Sequence, residues 1–249
     1  MYAKLKHIST RLVEQILPPT SPIDHKLVSS NGALTAEHWQ KLHFLTGSLC
    51  SCCGRPMPQI LLAEILCAKC EIKRPRITKT RSALVYNDAS RALILNFKYG
   101  GHTDNLHSFA SWMHFAAQDI LRPPGILVPV PLHMYRRMQR KFNQSALLAN
   151  TLSKLSGLAH KPLWLKRHRN TPIQGFLSPA RRVRNVSGAF SVPSRFLPDL
   201  RDKHIILVDD VRTSGATLEA CARELLAAGA KEVNAITLTR VVKLEEPVT

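Results

Sequence analysis

Apolar residues along this chain switch between two spacings. Short continuous runs at residues 83–86, 126–130, 204–208 and 233–238 have the length and β-branched content of buried strands. Between them, apolar residues recur every three or four positions in segments ending at Lys98, spanning about 144–155 and spanning about 216–228, the spacing of one helix face. Alternating strand and helix predicts an α/β domain over residues 80–245, with a mostly parallel sheet covered by helices on both faces. Residues 1–45 read differently. Leu5, Ile8, Leu12 and Ile16 are helically spaced, and Pro18-Pro19 and scattered polar residues follow. This stretch is expected to be an N-terminal extension, helical and then flexible, with no evident chemistry. The chain has no internal repeat and no low-complexity tract.

Cysteine usage adds a module between the two. Residues 46–75 hold five of the six cysteines, and the run Lys73-Arg74-Pro75-Arg76 after them resembles a charged linker. Cys50 and Cys53 form one C-x-x-C pair with Gly54 directly behind it, and Cys67 and Cys70 form a second. Two such pairs bring four thiolates within reach of one tetrahedral ion, so a structural zinc is expected. A module this small buries too little apolar surface to fold without the metal. Cys52 leaves the ligand set open, since it could replace Cys50 or Cys53; the two-residue gap favours the latter two. Cys221 lies in a helical apolar pattern and reads as a small core residue.

Charge narrows the partners. The formal net charge is +18 and the pI is near 10.1, which points to an anionic partner, nucleic acid or a polyphosphate metabolite. The basic residues come in bursts at 73–81, 136–141 and 166–184. No stretch approaches the roughly 20 apolar residues of a membrane-spanning helix, and the start lacks a signal-peptide core. No membrane insertion and a cytoplasmic location are therefore expected, where cysteines stay as thiols or metal ligands rather than disulfides.

The most informative segment is I-I-L-V-D-D-V-R-T-S-G-A-T at 205–217. An apolar strand ends in two carboxylates, and a short Thr/Ser/Gly loop then opens a helix. In an open α/β sheet that strand end is where ligands bind. The helix N-terminus offers amides and a positive dipole end, and Gly215 lets a phosphate approach the backbone. Thr213, Ser214 and Thr217 add hydroxyls, and Ala216 lies in the cradle. Asp209 and Asp210 would repel a phosphate, so their expected duty is to accept hydrogen bonds from sugar hydroxyls. A phosphorylated ribose satisfies both halves. A plain capped helix explains Thr213 or Ser214 but not two adjacent acids at a strand end.

These residues resemble the ribose-phosphate signature of type I phosphoribosyltransferases. Three further blocks, at residues 86–101 (Y-N-D-A-S-R-A-L-I-L-N-F-K-Y-G-G), 128–146 (V-P-V-P-L-H-M-Y-R-R-M-Q-R-K-F-N-Q-S-A) and 167–190 (R-H-R-N-T-P-I-Q-G-F-L-S-P-A-R-R-V-R-N-V-S-G-A-F), are similar to those of the ComF/GntX group in the same order, as is a preceding cysteine module. The resemblance spans residues 50–240. It implies 5-phosphoribosyl-1-pyrophosphate as ligand with Mg²⁺. It makes Arg136, Arg137 and Arg140 candidates for pyrophosphate contact, and Arg167, Arg169, Gln174, Arg182 and Asn185 candidates for a loop over the site. Asp209, Asp210 and Arg182 are the candidate catalytic residues. Two residues depart from the group's pattern: Lys141 where glycine is usual, and Arg212 where an apolar or small residue is commoner, placed to crowd the ribose or to contact the ligand. If the protein is an enzyme, a nitrogen nucleophile would displace pyrophosphate from ribose C1. The alternative is a non-catalytic factor of DNA uptake that binds single-stranded DNA, as the group's association with natural transformation implies. Few aromatics argue mildly against base stacking.

Overall fold

A computed structural model describes residues 18–21, 23–24, 26–30, 32–57, 65–99, 103–133, 142–169 and 184–242. The helical pattern at Leu5 to Ile16 lies outside them. The helices are α1 (Ala36–Gln40), α2 (Ala68–Ile72), α3 (Asp88–Tyr99), α4 (Leu106–Ala116), α5 (Gln144–Ser156), α6 (Leu197–Leu200) and α7 (Ala216–Ala227). The strands are β1 (Thr80–Val85), β2 (Gly125–Pro129), β3 (Ala159–His160), β4 (Lys166–Arg167), β5 (Phe190–Ser191), β6 (His204–Arg212) and β7 (Glu232–Arg240).

Five strands form one sheet in the order β1-β7-β6-β2-β3, with every pair parallel. The continuous apolar character of Ile205, Ile206, Leu207 and Val208 follows from this position. As a central strand of a parallel sheet, β6 is covered on both faces. Ile206 and Val208 join the cluster that includes Phe97, Phe109, Met113 and Leu148. Ile205 and Leu207 join the cluster that includes Trp164, Phe190, Leu218 and Leu225. All four are at most 1% exposed. One difference from the sequence reading concerns where β6 stops. It continues through both acids to Arg212, because β7 is equally long and stays in register with Val211 and Arg212.

The topology locates a binding crevice. From β2 the chain crosses through α5 to β3 on one side, and from β6 it crosses through α7 to β7 on the other. The crossovers diverge between the adjacent strands β2 and β6, and ligands bind beyond the carboxyl ends of strands at such a point. Asp209 and Asp210 lie there.

The segment before the cysteines does more than lead into them. Leu42 and Leu45 are buried, Val85 donates its amide to the His43 carbonyl at 2.8 Å, and Leu45 donates to Ala83 at 2.9 Å. These residues pair antiparallel with the outer edge of β1, which would otherwise expose an unpaired strand. Farther along the same edge, Thr80 donates to the Cys52 carbonyl at 2.7 Å. The cysteine module and its approach thus cover the β1 edge. Trp39 and Phe44 extend the covering inward, Trp39 meeting Trp112 at 5.6 Å and Phe44 meeting it at 5.5 Å between ring centroids.

Candidate functional site

Asp209 and Asp210 enter the crevice already engaged. Ser145 donates its hydroxyl to Asp209 Oδ1 at 2.9 Å, and the Asp210 amide donates to the same oxygen at 2.9 Å. Lys98, in the last turn of α3, pairs with Asp210 Oδ2 at 2.8 Å, with both side chains mostly shielded from solvent. Each acid therefore uses one oxygen in bonds among the described residues, and the other can accept from a ligand. Burial first, and then the adjacent Asp210 carboxylate, raise the Asp209 carboxyl from its ordinary 3.8 to about 7. Hydrogen bonds from the Asp210 amide and Ser145, with the Lys98 charge, offset part of that rise.

Three consecutive residues at the start of α5 hold the ends of neighbouring elements together. Asn143 caps the helix by accepting from the Ser145 amide at 3.1 Å, while its amide group donates to Val130 just past β2 at 3.1 Å. Gln144, 1% exposed, donates to the Lys98 carbonyl at 3.3 Å. Ser145 reaches Asp209. One tripeptide thus fixes β2, α3 and β6 relative to each other around the acids. Lys98, Asn143, Gln144 and Ser145 carry no role that the sequence alone assigns. The available signal was a cluster of small polar residues at a helix start.

The loop after β6 is short. Thr213 and Ser214 are exposed, Ser214 Oγ accepts from the Ala216 amide at 3.4 Å, and Thr217 lies in the first turn of α7. Gly215 has φ +82°, a left-handed conformation that disfavours other residues. It directs the chain into α7, whose N-terminus carries the positive end of the helix dipole. The Arg212 guanidinium lies 3.3 Å from where a Gly215 Cβ would stand, and Nη1 donates to the Cys53 carbonyl at 3.2 Å. It thus contacts the cysteine module, which neither sequence expectation anticipated.

Of the arginines expected around the crevice, Arg136, Arg137, Arg140 and Arg182 lie outside the described residues, as do Gln174 and Lys141. Arg167 lies in the antiparallel β4–β5 ribbon, its guanidinium 5.3 Å from the Phe190 ring centroid. Arg169 donates to the Ser187 carbonyl at 2.8 Å. Asn185 is half-buried next to Val186, which packs into the α7-side core.

Cys50, Cys53, Cys67 and Cys70 are buried, with their four sulfurs within 4.8 Å of one another. Cys53 and Cys67 sulfurs are 3.7 Å apart, close to the roughly 3.8 Å edge of a tetrahedron with zinc–sulfur bonds of about 2.3 Å. The amides of Cys53 and Cys67 donate to the Cys50 sulfur at 3.5 and 3.3 Å. The group fits a metal such as zinc. Cys52 lies outside this mutually close group; its sulfur is 3.6 Å from the Ile77 carbonyl and also hydrogen-bonds Cys70, so the four-sulfur group favours Cys50 and Cys53 as the first pair. Gly54, at φ +68°, packs so closely on Thr80 that a Cβ would strike its carbonyl oxygen. Arg240, only 7% exposed, donates Nη1 to the Cys53 carbonyl and directs Nη2 at the Cys53 sulfur, 3.6 Å away. Burial pushes the Cys53 thiol up, but Arg240, an Arg55 backbone hydrogen bond and Arg212 outweigh it, and the net value falls to about 6.

The phosphoribosyl transferase domain family matches residues 171–248. Competence protein ComFC of Bacillus subtilis (strain 168) is 32% identical over 212 residues, covering 80% of this chain and 81% of that protein. DNA utilization protein YhgH of Escherichia coli (strain K12) is 30% identical over 78% of this chain and 84% of that one. Competence protein F of Haemophilus influenzae is 29% identical over 80% of this chain and 93% of that one. No helix among the described residues is long and apolar enough to cross a membrane.

Two outcomes are expected. Elemental analysis of the purified chain should find about one metal ion per chain, since four thiolates complete one tetrahedral site, and Cys67→Ser with Cys70→Ser should abolish it; equal metal content in both would refute the site. The second concerns pH. The folded state holds a proton on Asp209 that the unfolded chain releases above its ordinary value, so this residue's contribution to stability declines as pH rises from about 4 through about 7. Asn at this position can still accept from Ser145. Asp209→Asn should therefore gain stability over the wild type at pH 8 and lose that advantage near pH 4, read from urea midpoints. Parallel pH profiles would show that Asp209 titrates normally.

Proposed function

Because the chain belongs to the ComF/GntX family, we propose that its main domain binds 5-phosphoribosyl-1-pyrophosphate with Mg²⁺ and that its cysteine module holds a structural zinc ion. The observation that carries this reading is the acid pair beside the Thr213–Thr217 loop, at the point where the crossovers from β2 and β6 diverge. Phosphate on the loop amides and hydroxyls would leave the ribose hydroxyls facing Asp209 and Asp210. Lys98 and Ser145 orient the acids through one oxygen each, so the ligand meets preorganised acceptors. Mg²⁺ on the pyrophosphate oxygens would neutralise the leaving group. Arg136, Arg137, Arg140 and Arg182 would supply further cationic donors, and Arg167, Arg169, Gln174 and Asn185 belong to the segment that would lie over the crevice. If the protein is an enzyme, a nitrogen nucleophile would form a C1–N bond as the C1–O bond breaks, with pyrophosphate leaving and the nitrogen's proton passing to solvent. Ionised acids would stabilise the positive charge that develops on the sugar.

Calorimetry should detect 5-phosphoribosyl-1-pyrophosphate binding with Mg²⁺. Asp209→Asn with Asp210→Asn removes charge-assisted acceptors of roughly 1.5–3 kcal/mol each, so affinity should fall at least about tenfold. Thr217→Val should weaken binding less, since the backbone amides remain. Wild-type protein that binds nothing, or a double variant that binds equally well, sinks the reading.

A second reading is supported by the charge of +18 and by exposed Lys73, Arg74 and Arg76 beside the cysteine module. In it the chain is a cytoplasmic DNA-uptake factor that binds single-stranded DNA, its relatives being named for competence and DNA utilization. Affinity for an oligonucleotide should then fall steeply with salt as neutralised phosphates release counterions. Replacing Lys73, Arg74 and Arg76 with Ala should flatten that slope. Undetectable binding at low salt, or a slope the triple variant leaves unchanged, counts against it.

A further inference from the structure

Buried arginine is expensive unless an anion is nearby. Arg240 is 7% exposed, and its Nε has no hydrogen-bond partner among the described residues. Its neighbours compound the problem: Arg212 is its register partner across β6 and β7, and Arg55 is near enough to repel it. Both Arg212 and Arg240 direct Nη1 at one acceptor, the Cys53 carbonyl, and Arg240 adds a contact to the Cys53 sulfur. No carboxylate pairs with Arg240 or Arg212 among the described residues. Four neutral thiols would leave these cations uncompensated. Four thiolates around a divalent ion carry a net charge of about −2, which supplies the missing anion.

Arg212 also belongs to the loop. Its side chain lies over the Gly215 turn while its tip is held by Cys53. A separate link runs to α7, where Glu219 accepts from the amides of Arg76 at 3.1 Å and Ile77 at 3.5 Å, just beyond the module.

We propose that Arg240 and Arg212 are the charge partners of the metal-bearing thiolate centre, and that through Arg212 this centre holds the 213–217 loop in shape. The second half makes the loop's order depend on metal binding at the cysteine group. It rests on the proposed function only in calling that loop a phosphate site.

The test uses the full metal-bearing chain. Zinc transfer to a colorimetric chelator should be at least about tenfold faster in Arg240→Met, with Arg240→Lys between it and the wild type, because charge partners beside metal ligands typically govern affinity by that factor. Hydrogen exchange followed through the same transfer should show peptides covering 209–217 losing protection as zinc leaves the wild type. Arg212→Gln should show faster exchange there with zinc still bound. If Arg240→Met does not fold, the Arg212→Gln and wild-type exchange experiments decide the matter. A release rate in folded Arg240→Met within twofold of wild type, or exchange at 209–217 indifferent both to zinc loss and to Arg212→Gln, overturns the inference. Neither readout involves 5-phosphoribosyl-1-pyrophosphate. Exchange that tracks zinc supports the coupling even where calorimetry finds no ligand, so the two readings fail separately.

Discussion

Two adjacent carboxylates follow four residues buried on both faces of a sheet, and the surroundings of the crevice answer that constraint. Ionising both in such a setting is costly, because burial and mutual repulsion act in the same direction. Lys98 compensates Asp210, while Ser145 and a backbone amide support Asp209. Asn143, Gln144 and Ser145 then bind the ends of β2 and α3 to the same point, so the rigidity of the crevice and the solvation of its acids share one set of bonds. The residual strain is visible in Asp209, whose carboxyl stays near 7 despite this support. A group so poised is common where binding or chemistry uses it.

The cysteine module is part of the same structure rather than an appendage. It covers one exposed strand edge, and it receives two arginines from the carboxyl ends of β6 and β7. Those arginines would be untenable in an apolar interior. A thiolate centre of the kind proposed would make them tenable, and their charge in turn draws Cys53 toward its ionised form. Cysteine group, edge strand and loop are thereby connected through contacts that each have an independent physical reason.

Much of this was legible in the amino-acid sequence. Paired C-x-x-C spacing specified the four cysteines whose sulfurs come together, and the run from Ile205 to Thr217 specified strand, acids, turn and helix because each is encoded within a few residues. The doubly covered strands followed from unbroken apolar runs. Cys52 remained ambiguous, since spacing alone does not say which way a sulfur points.

What only the tertiary structure decided are the partners that come from distant segments. Lys98 and Ser145 find the acids because strand order brings α3 and the start of α5 to the end of β6. Arg212 and Arg240 meet at Cys53 because β6 and β7 run equally far and the module docks beside them. Leu42 and Leu45, in a stretch that seemed an extension, are buried because the outer edge of β1 needed pairing. Local spacing determines which element forms and which chemistry it carries. Which charge faces which depends on the order and register of the strands, settled by burying both faces of the sheet at once, and no short stretch of sequence contains that information.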